Sequence, residues 1–156
     1  MHQIEHEIVN IDKKKMIIGV ELANAEKMAG HILYMWVKLC PQLGKIKGAI
    51  DPSTLYGIWH QVDENGNHRK YLVGAEVNNI DSIPDGMQSV IISSGKYVKT
   101  TVIEHSGWIP KGWQSSGDWT KQNQMKSVLA KPFFEKYNTQ QKVTEKYSVE
   151  LYRPIE

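Results

Sequence analysis

A single cysteine, Cys40, in 156 residues excludes a disulfide framework and a paired-cysteine metal site. Long apolar runs are missing too. The longest, such as Met16–Val20 and Ile32–Trp36, stop far short of the roughly 20 residues that span a bilayer. No sign of charge prevails: 19 Lys and Arg stand against 17 Asp and Glu, a net +2, interleaved along the chain. The densest basic run, Lys13-Lys14-Lys15, reads as a turn between strands. The concentrated basic face of a duplex-binding protein is absent, so direct nucleic-acid binding is not expected. No charged leader with an apolar core precedes a cleavage site, which points to a cytoplasmic, reducing setting. Cys40 is then expected as a small buried hydrophobe on a helix, with no local base to activate its thiol. The chain also lacks a glycine-rich phosphate loop and a Gly-x-Ser-x-Gly elbow. His2 and His6 have the spacing of a helical zinc clamp, but their surroundings read as strand and no third ligand is close. Neither metal nor cofactor is expected.

What is present suits one globular α+β domain over 1–156, since 40% of the residues are hydrophobic and 23% charged. Ile4 to Asp12 alternates loosely and Lys15 to Leu22 is β-rich. They fit one long bulged strand or a hairpin turning at Asp12–Lys14. From Ala23 to Leu43 the period changes. Met28, Ile32, Met35, Trp36, Leu39 and Leu43 recur at three and four, the stripe of an amphipathic helix closed by Pro41 and Gly44. Leu55–Val62 and Arg69–Val77 flank an Asn-Gly turn and read as a hairpin.

After a linker-like stretch around Pro84-Asp85-Gly86 the order restarts. Met87–Ser93 and Lys96–Ile103 are strand-like. Trp108 to Gln124 is expected as a poor helix or loop-helix, because Pro110, Gly112 and Gly117 interrupt it. Leu129–Tyr137 is a short element, and Tyr147–Ile155 alternates as a final strand. Tyr71-x-Val73-x-Ala75 reappears as Tyr147-x-Val149-x-Leu151. Two strand–helix–strand–strand halves, about 1–80 and 86–156, would pack with pseudo-twofold symmetry around a ligand groove. The matches are short, so spacing alone leaves the duplication open.

Five segments in order carry a family resemblance. They are Tyr71-Leu72-Val73-Gly74-Ala75-Glu76-Val77, Asp81-x-x-Pro84-x-Gly86-Met87, Ser94-Gly95-Lys96-Tyr97, His105-x-Gly107, and Tyr147-x-Val149-Glu150-Leu151-Tyr152-x-Pro154-Ile155. Together they resemble the GyrI-like small-molecule-binding domain, the effector-binding domain of AraC-type and MerR-type multidrug regulators, in its stand-alone, cassette-encoded form. The resemblance implies the duplicated fold, a central pocket lined by aromatic residues with an acidic residue at its bottom, and bulky flat cations as ligands.

Five Trp and seven Tyr supply flat surface for such ligands. Burying about 250 Å² of apolar ligand surface contributes roughly 6 kcal/mol gross, and each ring facing the charge adds roughly 0.5–2 kcal/mol. A buried carboxylate then selects cations over neutral analogues. Glu150 is the first choice for it: alternation sets it on the face of Tyr152, opposite Val149 and Leu151, at the acidic position of the family's terminal Glu-x-Tyr-x-Pro pattern. Glu76 is its counterpart in the other half, and Glu104 is a further choice at a strand end. Tyr56 and Trp59 face opposite sides of one strand, one toward the core and one toward the groove. Trp36 sits on the helical apolar stripe, and Trp113 and Trp119 are expected at the pocket rim. The leading function is binding of hydrophobic, cationic aromatic molecules, for sequestration or for sensing with a separate regulator protein. The alternatives are a hydrolase of strained rings using a pocket glutamate, and a protein-binding inhibitor of the gyrase-inhibitor type.

Overall fold

The computed structural model describes residues 3–23, 39–103, 109–138 and 148–156. Eight strands form one antiparallel sheet: β1 (Gln3–Ile11), β2 (Lys15–Ala23), β3 (Thr54–Val62), β4 (His68–Val77), β5 (Gln88–Ile92), β6 (Gly95–Ile103), β7 (Phe133–Asn138) and β8 (Ser148–Ile155). Their order across the sheet is β1-β6-β8-β7-β3-β4-β2-β5. Among the described residues a 3-10 helix spans Cys40–Lys45, and an α-helix, here α1, spans Ile109–Gln122. No helix among the described residues is long and apolar enough to cross a membrane. The architecture is α+β, a large antiparallel sheet with few helices.

The β3–β4 hairpin forms where the Asn-Gly signal puts it. The Asp63 carboxylate accepts the backbone N–H groups of Asn65 and Asn67 at 2.9 and 3.0 Å, and Gly66 takes the positive φ that the turn requires. The first two strands do not make a hairpin. Among the described residues β1 pairs only with β6, at one edge, while β2 lies between β4 and β5 near the other. Burial explains the separation: Ile17 and Ile18 of β2 are buried on both faces, whereas β1 carries the exposed Glu5, Glu7 and Asn10 that suit an edge.

Two further expectations are corrected. Ile109–Gln122 is a regular helix, because Pro110 falls in its first turn, where proline is tolerated. Gly112 is a packing residue: a Cβ there would collide with Val102 and Leu151 of the sheet. Cys40 is exposed rather than buried, since the chain tightens into the 3-10 helix there and it is Leu39 that enters the core. The rest of the expected first helix, 24–38, lies outside the described residues.

The sheet has two apolar faces. On one, Val20, Leu39, Leu55, Tyr71 and Val73 form a core, and Val102, Val149 and Leu151 pack with Ile109 and Trp113 of α1. On the other, Ile17, Ile58, Leu72, Tyr97, Phe134 and Tyr152 pack together, with Val9 and Ile11 of β1 against them. Strand β7 serves both: Phe133, Glu135 and Tyr137 look to the helix side, and Phe134 and Lys136 to the opposite one.

Candidate functional site: an aromatic cage around Glu135

Glu135 lies mid-strand in β7, beside the centre of the sheet, and only 3% of it is exposed. Four aromatic side chains from four elements donate to it. Tyr71 of β4 and Tyr137 of β7 bring their hydroxyls to Oε1 at 2.7 and 2.6 Å. Trp59 of β3 and Trp113 of α1 bring their indole N–H groups to Oε2 at 3.0 and 2.9 Å. A carboxylate has about four lone-pair sites, so this one is fully subscribed. All four donors are neutral, and no described Lys or Arg stands within ion-pair distance. The carboxylate is solvated by ring donors and has no ion-pair partner among the described residues, an arrangement that favours a cation.

The sequence builds the cage through register. Trp59 stands opposite Tyr71 on one side and Phe133 on the other, and Gly57 stands opposite Glu135. A Cβ on Gly57 would collide with the Tyr71 hydroxyl and come within 2.9 Å of Glu135 Oε1, so the glycine opens the gap through which Tyr71 reaches the carboxylate. Burial, reinforced by the Glu135 charge, holds the Tyr71 hydroxyl far above its ordinary pKa, so it stays a donor. The Trp59 and Tyr71 rings are 4.5 Å apart at 45°. Trp113 is braced from behind by Arg153, whose guanidinium lies 5.9 Å from the Trp113 ring and 4.9 Å from Phe133. Arg153 binds only neutral acceptors among the described residues: Ser116 Oγ at 3.0 Å, Ser127 Oγ at 3.1 Å and the Trp113 carbonyl at 3.3 Å. Its burial pulls its pKa down.

The residues singled out in the sequence divide among three places. Trp59 and Trp113 are in the cage. Glu150, Tyr152, Tyr56 and Glu76 lie on the opposite face. There Glu150 accepts the Tyr152 hydroxyl at 2.9 Å and pairs with Lys99 at 3.2 Å, with 29% of its side chain exposed. Glu76 accepts the Tyr56 hydroxyl at 3.3 Å and pairs with Lys15 at 3.5 Å. Glu150 also lines a hollow of about 250 Å³ with Lys136 and Tyr137. Trp119 stacks on His6 of β1 at 5.3 Å, beside a separate hollow of about 370 Å³. Trp36 and Glu104 lie outside the described residues. Neither of these hollows is lined by Glu135.

Sequence reasoning passed over Glu135, Tyr71 and Tyr137. The available signal was Phe133-x-Glu135-x-Tyr137, an acid flanked at strand period by the aromatics of its own face.

Residues 7–155 match the family of integron-associated effector-binding proteins. The chain belongs to that family. No curated protein matches the sequence. Solved structures share the effector-binding fold. SAV2435 bound to tetraphenylphosphonium superposes with a TM-score of 0.73 at 18% identity, covering 97% of this chain and 94% of its own. The integron cassette protein VCH_CASS2 of Vibrio cholerae gives 0.68 at 18% identity, covering 99% of each chain. The C-terminal domain of EcmrR gives 0.65 at 12%, covering 100% and 98%. Membership of an effector-binding family supports small-molecule binding in general.

Proposed function

We propose that this effector-binding chain holds lipophilic aromatic cations against the cage around Glu135. The observation that carries the reading is the buried carboxylate itself: four ring donors at 2.6–3.0 Å, and no cation beside it among the described residues. Its negative charge draws a cation, and the partly exposed Trp59, Trp113 and Tyr137 offer area and quadrupole to a flat one. The neighbour that carries tetraphenylphosphonium supports the same ligand class. Glu135 takes the role that sequence alone pointed to at Glu150, because Glu150 already has an ammonium partner in Lys99.

The strand order supports a duplicated origin of the groove. Read from either edge, it is the same series with each strand replaced by the one four places along. In this reading the whole chain is one effector-binding domain of two half-repeats, and it sequesters such compounds or reports them to a separate regulator protein in the cytoplasm.

Titration with tetraphenylphosphonium, followed by quenching of tryptophan emission, tests the reading. Saturable quenching at micromolar concentrations in the native protein, weakened about tenfold or more in Glu135→Gln, is the expected result. No saturation up to about 1 mM would reject the ligand class. Equal affinity in the two proteins would reject Glu135 as the anion.

A further inference from the structure

The face opposite the cage holds a second basin. Phe134, Tyr56 and Tyr152 line a hollow of about 460 Å³, within the roughly 300–1,000 Å³ of small-molecule sites. Phe134 and Tyr152 stack face to face at 4.4 Å and 7°, a rigid aromatic pair in the lining. Lys13 and Lys15 reach the lining from one side, Lys99 from β6 and Lys136 from β7, and Asp12 is the sole acidic residue lining it.

Apart from Asp12, the carboxylates of this region pair with the ammonium groups and do not line the hollow. Glu76 holds Lys15, while Glu150 and Glu7 hold Lys99 at 3.2 and 3.4 Å. Burial alone would lower the Lys99 pKa, but these two carboxylates outweigh it and keep the ammonium charged. Glu76 and Glu150 also absorb the Tyr56 and Tyr152 hydroxyls. Lys13 and Lys136 make no ion pair among the described residues. Against the single carboxylate of Asp12, the ammonium groups of Lys13 and Lys136 thus face the hollow without an ion-pair partner among the described residues, beside an aromatic lining.

We propose that this basin is a second ligand site, taking small aromatic anions such as aryl carboxylates or sulfonates, with the ring against the aromatic lining of Phe134, Tyr56 and Tyr152 and the acid group on the lysine rim. The alternation of β7 sets it back to back with the cage, so Glu135 and Lys136, adjacent in sequence, serve ligands of opposite charge. Counting the carboxylates paired with the rim, the region is close to neutral. Selection then comes from placement, and affinity is modest.

Calorimetric titration with 2-naphthoate at low salt tests it. Expected is saturable, sub-millimolar binding that persists with tetraphenylphosphonium present. Binding weakens about tenfold in K13Q/K136Q and about threefold in K13Q alone, whose exposed position leaves the fold intact. The proposal is overturned if the native protein fails to saturate by about 5 mM, if neither variant weakens binding, or if tetraphenylphosphonium displaces the naphthoate.

Discussion

Gly57 and Glu135 stand directly opposite each other on β3 and β7, and the missing Cβ at Gly57 gives the Tyr71 hydroxyl its line to the carboxylate. The cage depends on an absence of side chain as much as on its four rings. Gly57→Ala is expected to push Tyr71 off Glu135, destabilising the fold by about 1–3 kcal/mol through overpacking. Cation affinity should fall with it. A denaturant midpoint unchanged from the native protein would show that the strands separate enough to absorb the methyl.

Removing one donor from Glu135 leaves a buried acceptor short of a partner. Trp59→Phe, Trp113→Phe and Tyr137→Phe are each expected to cost about 1–3 kcal/mol, measured by urea unfolding. The double variant Trp59→Phe/Trp113→Phe strips Oε2 of both donors, so its loss should exceed the sum of the singles. Simple additivity would mean that water replaces the indoles without penalty.

The architecture was legible where a residue's partner is near in sequence. The β3–β4 hairpin follows from Asn65-Gly66, and β8 follows from the alternation of Val149 and Leu151 with Glu150 and Tyr152. Where partners are distant, local signals misled. Asp12–Lys14 resembles a hairpin turn, yet β1 and β2 take partners far along the chain. Gly112 and Gly117 lower helix propensity, yet each makes room for packing, Gly112 beneath Val102 and Leu151 and Gly117 beside Arg153. An acid set among aromatic residues was what the family resemblance implied. Which acid it is was not legible, because Glu135 gains its rings from β3, β4 and α1 through register, which spacing along one strand does not encode.

Gly112→Ala tests the packing account. Its Cβ would overlap Val102 and Leu151, so a stability loss of about 1–3 kcal/mol is expected although alanine is the better helix former by about 1 kcal/mol. A stabilised variant would mean that α1 lifts freely from the sheet.

Three half-buried histidines set the acid limit of stability. Burial lowers the pKa of His6, of His60 and of His68 below 6.5. For His60 burial outweighs the nearby Glu21, while Lys70 reinforces it; for His68 both His60 and Arg153 oppose protonation. A base whose folded pKa is depressed binds fewer protons folded than unfolded, so stability is full above about pH 6.5 and declines as pH falls below it. Urea midpoints are expected to drop between pH 7.5 and pH 5.5, above the range where carboxylates titrate. A flat profile would mean that these rings are hydrated.

The full subscription of Glu135 sets a preference among cations. With Tyr71, Tyr137, Trp59 and Trp113 on its lone pairs, the carboxylate has no acceptor site left for a ligand N–H. An onium ion needs none and is bound by charge and ring contact alone, whereas a protonated amine must leave its N–H groups unmatched or displace a donor. (Naphthylmethyl)trimethylammonium should therefore bind about tenfold or more tighter than (naphthylmethyl)ammonium, measured by tryptophan quenching. Part of that gap is methyl area, which the cage variant separates. Tyr137→Phe frees one site on Oε1, so the ratio should shrink there by about threefold or more while the onium affinity changes little. An identical ratio in both proteins would show that ligands meet the carboxylate's charge without ever contesting its hydrogen bonds.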